Sequence, residues 1–250
     1  MGLPVITVAL AGHRGRTGAE VALSIQAAPD MEYVGGVGRG DDLDALLRDH
    51  RPQALVDFTG PDAALDNALA AVRAGAVPIV GTSGLSKDAV DRLELACEQA
   101  GVGGIVAPNF AVGAVVMMWL AERAAPFFDA VEVIETHHAG KLDAPSGTAL
   151  ATARRLAAAG RFSYNRPEKV SLDRTRGGEE GGVGVHSLRL PGVVADQEVL
   201  FGLAGQTLSI AHRTTSRAAF GPGVLLAIRR ITAEPRFSRG LDDLLGLSPR

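Results

Sequence analysis

Val5-Ile6-Thr7-Val8-Ala9-Leu10-Ala11 runs directly into Gly12-His13-Arg14-Gly15-Arg16-Thr17-Gly18. The first run is apolar and β-branched; the second is a glycine-punctuated turn with two arginines. Beyond it Val21, Ile25 and Ala28 recur at helical spacing, so the stretch predicts a strand, a tight turn and a helix over Arg16–Ala27. A strand leading through glycines into a helix is the local geometry of a pyrophosphate site. Glycines let the backbone approach the phosphates, and the helix N-terminus offers unpaired N–H groups and the positive end of its dipole. The candidate cofactor contacts are Gly12, His13, Arg14, Gly15, Arg16 and Thr17. The spacing is G-x-x-G-x-x-G rather than G-x-G-x-x-G, and a plain βα turn remains the alternative reading.

The same rhythm continues outward. Glu32–Val37, Ala54–Phe58, Val77–Val80 and Gly104–Ala107 read as strands. Leu43–Leu47, Ala63–Ala74 and Lys87–Ala100 read as the helices between them. Alternating strands and helices mean βαβ units and a parallel, doubly wound sheet. The end of the second strand should read the adenosine ribose: an acid suits the 2′-hydroxyl of NAD and an arginine the 2′-phosphate of NADP. Here Gly38 stands where the acid is often found and Arg39 follows it, which favours NADPH or use of both NADPH and NADH. Asp41 and Asp42 are close enough to take the acid's part if the register slips.

After Pro108 the pattern changes. A helix over Val112–Ala125, a strand over Ala130–His137 and a helix over Gly147–Ala159 are expected. Arg176–Gly184, with five glycines and two glutamates, reads as a mobile loop. Val185–Leu190, Glu198–Ala204 and Gln206–His212 alternate like antiparallel strands, and Gly223–Ile231 is a last helix, expected to return and pack on the first half. The expected architecture is α/β: a Rossmann-type parallel-sheet domain, 1–108 with 221–250, plus a second α+β domain with a mixed sheet, 109–220.

Composition narrows the function. Twenty-five Lys and Arg against 28 Asp and Glu give a net charge of −3 with no basic block, which disfavours a nucleic-acid coat. Cys97 is the one cysteine, so no intramolecular disulfide and no cysteine-based metal site is expected, and a reducing, cytoplasmic setting is. The longest apolar stretch, Ala111–Ala121, is too short for a membrane span. Val5–Ala11 lacks the positive flank of a secretory leader and reads as a first strand. Only three of the basic residues are lysines, Lys87, Lys141 and Lys169, so a lysine inside a motif hints at a group that can give up a proton.

Lys141 lies in such a motif: Glu135-Thr136-His137-His138-Ala139-Gly140-Lys141-Leu142-Asp143-Ala144-Pro145-Ser146-Gly147-Thr148-Ala149. His137, His138 and Lys141 bring titratable cations to the end of a strand, and the N–H groups of Gly147 and Thr148 open a helix that could hold a carboxylate. Adjacent histidines on a strand face opposite ways, so they would not clamp a metal together. The plainer readings are a buried, hydrogen-bonded histidine and a Ser146 that serves only as a helix N-cap.

The whole block resembles the signature of the dihydrodipicolinate (4-hydroxy-tetrahydrodipicolinate) reductase family of the diaminopimelate and lysine pathway. The likeness extends over Gly12–Gly18, Asp57-Phe58-Thr59, Gly81-Thr82-Ser83-Gly84, Ala107–Gly113, His186–Arg189, Ile210-Ala211-His212 and Thr215-Ser216-Arg217. It implies a Rossmann domain completed by C-terminal residues, and a second domain that binds the dicarboxylate substrate and builds a homotetramer. It also implies reduction of a cyclic imine by NADH or NADPH. By the same resemblance His137 is the acid/base, Lys141 a proton donor and His138 a substrate contact, while Gly147 and Thr148 bind a substrate carboxylate. Gly81, Thr82 and Ser83, with Ala107, Pro108, Asn109 and Phe110, are expected along the nicotinamide half of the cofactor. Thr17 replaces a methionine common in the family, and Gly38 replaces an acid, which weakens the expected grip on NADH. Excluding water from the reaction implies a closing hinge between the domains. Two rival readings are another Rossmann oxidoreductase of amino-acid metabolism and a non-catalytic dinucleotide sensor. A semialdehyde dehydrogenase would need a nucleophilic cysteine, which Cys97, in mid-helix, does not suit. A sensor would not need H-H-x-x-K.

Overall fold

The computed structural model describes residues 5–247, which pack as two compact units. One holds the residues up to Val112 together with those from Arg217 onward; the other is Gly113–Ser216.

The first unit alternates β1 (Ile6–Ala11), α1 (Arg16–Ala27), β2 (Met31–Val37), α2 (Leu43–His50), β3 (Ala54–Asp57), α3 (Pro61–Arg73), β4 (Val77–Val80), α4 (Lys87–Ala100) and β5 (Gly104–Val106). The strands pair in parallel in the order β5-β4-β3-β1-β2. β3, β4 and β5 are buried along their whole length, the reason they read as unbroken apolar runs rather than alternating ones. Leu10, Leu55, Ile79 and Ile105 are among its most buried side chains. Fully burying such a side chain contributes about 1.5–3 kcal/mol. The chain returns to this unit through α7 (Gly221–Ala233), which packs on α1, and Arg229 forks onto Asp30 at 2.6 and 2.8 Å. A short strand that sequence patterning did not reveal, Phe237–Ser238, then pairs in parallel with β5 and becomes the sixth strand.

In the second unit α5 (Val112–Ala124) leads to β6 (Ala130–His137) and α6 (Gly147–Ala159). β7 (Gly178–Glu180), β8 (Val183–Arg189), β9 (Ala195–Leu203) and β10 (Gln206–Thr214) complete a mixed sheet in the order β10-β9-β6-β8-β7. One expectation is corrected here. Arg176–Gly184 is not a loop throughout: Gly178–Glu180 pairs antiparallel with β8 across Gly181 and Gly182, both at positive φ. The sheet is mixed, as expected: β8 lies parallel to β6, while β9 runs antiparallel to both β6 and β10. One face of the sheet is apolar. Val131 and Val133, Val183 and Val185, and Val199 and Phe201 pack with Ala149, Ala153 and Leu156 of α6. The strands therefore alternate with period two, and Glu135 occupies the next inward position of β6 after Val133.

Candidate active site

In the first unit the carboxyl ends of all the parallel strands share one edge. The chain leaves β1 for β2 on one side and comes back to β3 on the other, so the crevice at the end of β1 is the switch point where such sheets take ligands. The glycine turn sits there, and its glycines differ in purpose. A Cβ on Gly12 would lie 2.5 Å from the Phe58 carbonyl oxygen, in a backbone conformation with φ +86°. A Cβ on Gly18 would lie 2.2 Å from the Gly12 oxygen. Both are demanded by the turn's own packing. Gly15 is the N-cap of α1, which has no side-chain cap and no acid in its first turn. By contrast α2, α4 and α6 are capped by Asp42, Ser86 and Ser146. The first N–H groups of α1 are thus left for an anion, with Arg14 and Arg16 exposed beside them, an arrangement that fits a dinucleotide pyrophosphate. Thr17 is partly buried at the start of the helix, and the His13 ring lies over Gly36 of β2 with its Nδ1 shut off from solvent.

The end of β2 is specific to this chain. Asp41 accepts the Gly38 N–H at 2.8 Å and pairs with Arg14 at 3.0 Å. The Gly38 hydrogen bond, with Arg14 and His13 nearby, holds its carboxyl below the usual range against the opposing effect of burial. Asp42 is occupied as the α2 cap. Arg39 is exposed, with no hydrogen bond or ion pair to another described residue.

At the ends of β3 and β4 a buried carboxylate organises the loops. Asp57 accepts the Thr59 N–H at 3.0 Å and hydroxyl at 2.8 Å, Asn67 Nδ2 at 2.8 Å and the Thr82 hydroxyl at 2.6 Å. Thr82 is therefore turned inward, while Ser83 is exposed. A Cβ on Gly81 would lie 2.4 Å from the Phe58 ring. Ala107 is buried and bonded to Val80, Pro108 is exposed, and Asn109 accepts the Ala111 N–H at 2.8 Å. Phe110 is a core residue, edge-to-face with Phe58 at 6.1 Å.

In the second unit the His-His-Lys block closes on a carboxylate that motif reading passed over. Glu135 is 0% exposed. Its Oε2 lies 2.5 Å from His137 Nδ1, and Arg189 of β8 forks onto both its oxygens at 3.0 Å. The Ser146 N–H donates to Oε1 at 3.2 Å. Burial works to raise the Glu135 carboxyl, but hydrogen bonds from His137, Arg189 and Ser187 outweigh it and hold it down at about 2. Arg189 also donates to the Asp143 carbonyl at 2.5 Å, and the Asp143 carboxylate holds Lys141 Nζ at 2.7 Å. The Lys141 bond and charge keep the Asp143 carboxyl below its ordinary value.

β6 ends at His137, so His138 lies beyond the strand and outside its alternation. Ser146 does cap α6, accepting the Ala149 N–H at 3.1 Å, and nothing lies within 4 Å of where a Gly147 side chain would point. The Gly147 and Thr148 N–H groups thus open the helix beside that clear space, and the Ala144–Pro145 peptide before them is cis.

Both halves of the chain match known proteins. The family model for the N-terminus of dihydrodipicolinate reductase matches residues 6–110, and that for its C-terminus matches residues 113–245. A 4-hydroxy-tetrahydrodipicolinate reductase of Mycolicibacterium vanbaalenii is 44% identical over 243 residues, covering 96% of this chain and 99% of its own. One from Legionella pneumophila is 43% identical over 235 residues, covering 94% and 97%. A dipicolinate-bound dihydrodipicolinate reductase from Paenisporosarcina sp. TG-14 superposes with a TM-score of 0.85 at 33% identity, over 96% of this chain and 99% of that one. With both halves matched in order and the His-His-Lys block intact, the chain belongs to the dihydrodipicolinate reductase family.

Proposed function

We propose that the protein reduces 4-hydroxy-tetrahydrodipicolinate to tetrahydrodipicolinate with NADPH or NADH, a step of diaminopimelate and lysine biosynthesis. The observation that carries this reading is the second unit's combination of a carboxylate-bound histidine, a lysine and an open helix start within one short segment. A bound reduced nicotinamide supplies the hydride. The uncapped start of α1, with Arg14 and Arg16, would hold its pyrophosphate, and Gly81–Ser83 and Ala107–Asn109 would flank its nicotinamide half. The substrate is a dianion and the protein carries net charge −3, so attraction must be local. His138, Lys141 and the Gly147 and Thr148 N–H groups provide it. Hydride arriving at the ring leaves negative charge on the conjugated nitrogen system, and His137 or Lys141 can quench it with a proton.

The same reading takes the protein as a cytoplasmic homotetramer. Among the described residues β10 pairs on one side only, and an open sheet edge is a surface that assembly covers. No helix among the described residues is long and apolar enough to cross a membrane. The functional test is oxidation of NADPH and NADH by purified protein with and without the cyclic imine. Imine-dependent turnover is expected; cofactor binding without turnover would sink the enzyme reading in favour of a sensor. Light scattering showing a monomer at working concentration would contradict the tetramer.

A further inference from the structure

Glu135 lies where β6 should carry one more core residue. Val131 and Val133 precede it on the same face, and both pack against α6. An apolar side chain would serve that packing. A carboxylate there needs partners, and it has them from four places in the chain: His137 on its own strand, Arg189 and Ser187 on β8, and the Ser146 N–H at the start of α6. The strand register makes this possible, since Glu135 sits opposite Ser187 and His137 opposite Arg189 in the parallel pair.

The hydrogen bond to His137 has a direction. Arg189 forks onto both Glu135 oxygens and the Ser146 N–H donates to Oε1, the setting of a carboxylate that accepts, and an accepting Glu135 places the proton of the shared bond on His137 Nδ1. The other ring nitrogen, Nε2, is then the one that gains and loses protons. Arg189 carries the linkage further, through the Asp143 carbonyl to the loop in which Asp143 holds Lys141. The charged groups joined to the His137 ring are therefore Glu135 on its strand and, through Glu135, Arg189 on β8; Asp143 and the Lys141 it holds are linked to Arg189 through the Asp143 carbonyl, and His138 follows in the chain. We propose that Glu135 is the positioning residue for proton delivery: it fixes His137 with Nε2 as the working atom and, through Arg189 and Ser146, ties that ring to the Lys141 loop and to the carboxylate-binding start of α6. The proposal rests on the reading that His137 supplies the proton.

Replacing Glu135 by Gln removes the anion and leaves the Arg189 cation beside the ring. Both changes disfavour the protonated imidazole, so activity that needs it fails at lower pH than before. The test compares Glu135→Gln, His137→Gln and the double variant as full-length protein. Each is assayed for kcat, substrate KM and pH profile, with NADPH affinity by fluorescence as the check on folding. Glu135→Gln is expected to lower kcat by about tenfold or more, with a smaller change in KM, and to move the alkaline limb of the profile down by about one pH unit. The double variant should be no worse than His137→Gln, because one residue acts through the other. Losses that multiply, or an unmoved pH limb, would overturn the proposal. Should Glu135→Gln not fold, ¹⁵N NMR of the unaltered protein decides, with His137 assigned by its loss in His137→Gln. The Nδ1–H tautomer is expected, and Nε2–H overturns the proposal. Normal turnover in His137→Gln would remove the underlying reading and the proposal with it. A deep loss there beside normal turnover in Glu135→Gln removes the proposal alone.

Discussion

Two helix starts in this molecule are read as anion sites, and they are built in opposite ways. α1 begins at a glycine with no side-chain cap, and exposed arginines stand nearby. α6 begins at a serine whose side chain caps it and whose N–H is held by a buried carboxylate. The first is a bare cradle of backbone and fixed charge, since arginine keeps its proton at any working pH. It suits a ligand that must be held and released without chemical change at the phosphates. The second is surrounded by groups that titrate, one histidine and one lysine each hydrogen-bonded to a carboxylate. It suits a ligand that must be bound by its carboxylate and protonated elsewhere.

That contrast breaks most sharply if proton delivery is removed. His137→Gln and Lys141→Ala should each lower kcat by about a hundredfold or more, the usual scale for lost acid catalysis. Dinucleotide affinity, measured by fluorescence, should be unchanged, because neither side chain belongs to the first unit. Near-normal turnover in either variant would strip that residue of its role.

A smaller effect is expected from blocking the second helix start. The direction of a Gly147 side chain is empty, so Gly147→Val puts its methyl groups where a carboxylate would approach. The substrate KM should rise by about tenfold or more, given that each charge-assisted hydrogen bond lost is worth roughly 1.5–3 kcal/mol. Thr148→Val keeps its backbone N–H and should do less. Pyridine-2,6-dicarboxylate should compete with the imine and inhibit Gly147→Val more weakly. Equal inhibition of variant and parent would place the carboxylate elsewhere.

The two regions also differed in how legible they were. The first half could be read almost element by element, because wholly buried parallel strands are continuous apolar runs and glycines mark the turns between them. Phe237–Ser238 escaped because two residues carry no period. The β7 strand escaped because Gly177, Gly178, Gly181 and Gly182 look like loop, although three of them are at the positive φ that shapes the hairpin and its approach. The parallel pairing of β6 with β8 escaped because alternation is the same in either direction. At the site, His137 and Lys141 announce themselves by motif. Glu135 does not, since alternation marks its position as core, and its partner Arg189 is 54 residues away. The one available signal was a charged residue at an inward strand position, which demands a partner somewhere.

The finest discrimination lies at the adenosine end of the first site, where the expected preference for NADPH meets a detail only the structure supplies. Arg14 is engaged by Asp41, and Asp41 is itself held by the Gly38 N–H. Arg39, exposed at the end of β2 with no ion pair to another described residue, is a cation that could meet a 2′-phosphate, and the Asp41 carboxylate could accept from a ribose hydroxyl. The two residues should act in opposite senses. Arg39→Ala should raise the KM for NADPH several-fold and leave that for NADH nearly unchanged, because an exposed ion pair contributes only about 0.2–1 kcal/mol and somewhat more when it is hydrogen-bonded to phosphate. Asp41→Ala releases Arg14 and removes an anion that would repel the phosphate. It should lower the KM for NADPH and raise that for NADH. Steady-state assays of both variants with both cofactors, at fixed ionic strength because exposed charges are screened, give the ratio directly. Equal changes for NADH and NADPH in Arg39→Ala would mean that Arg39 does not read the 2′ position. Equal changes in Asp41→Ala would mean that its bond to Gly38 serves only to shape the turn.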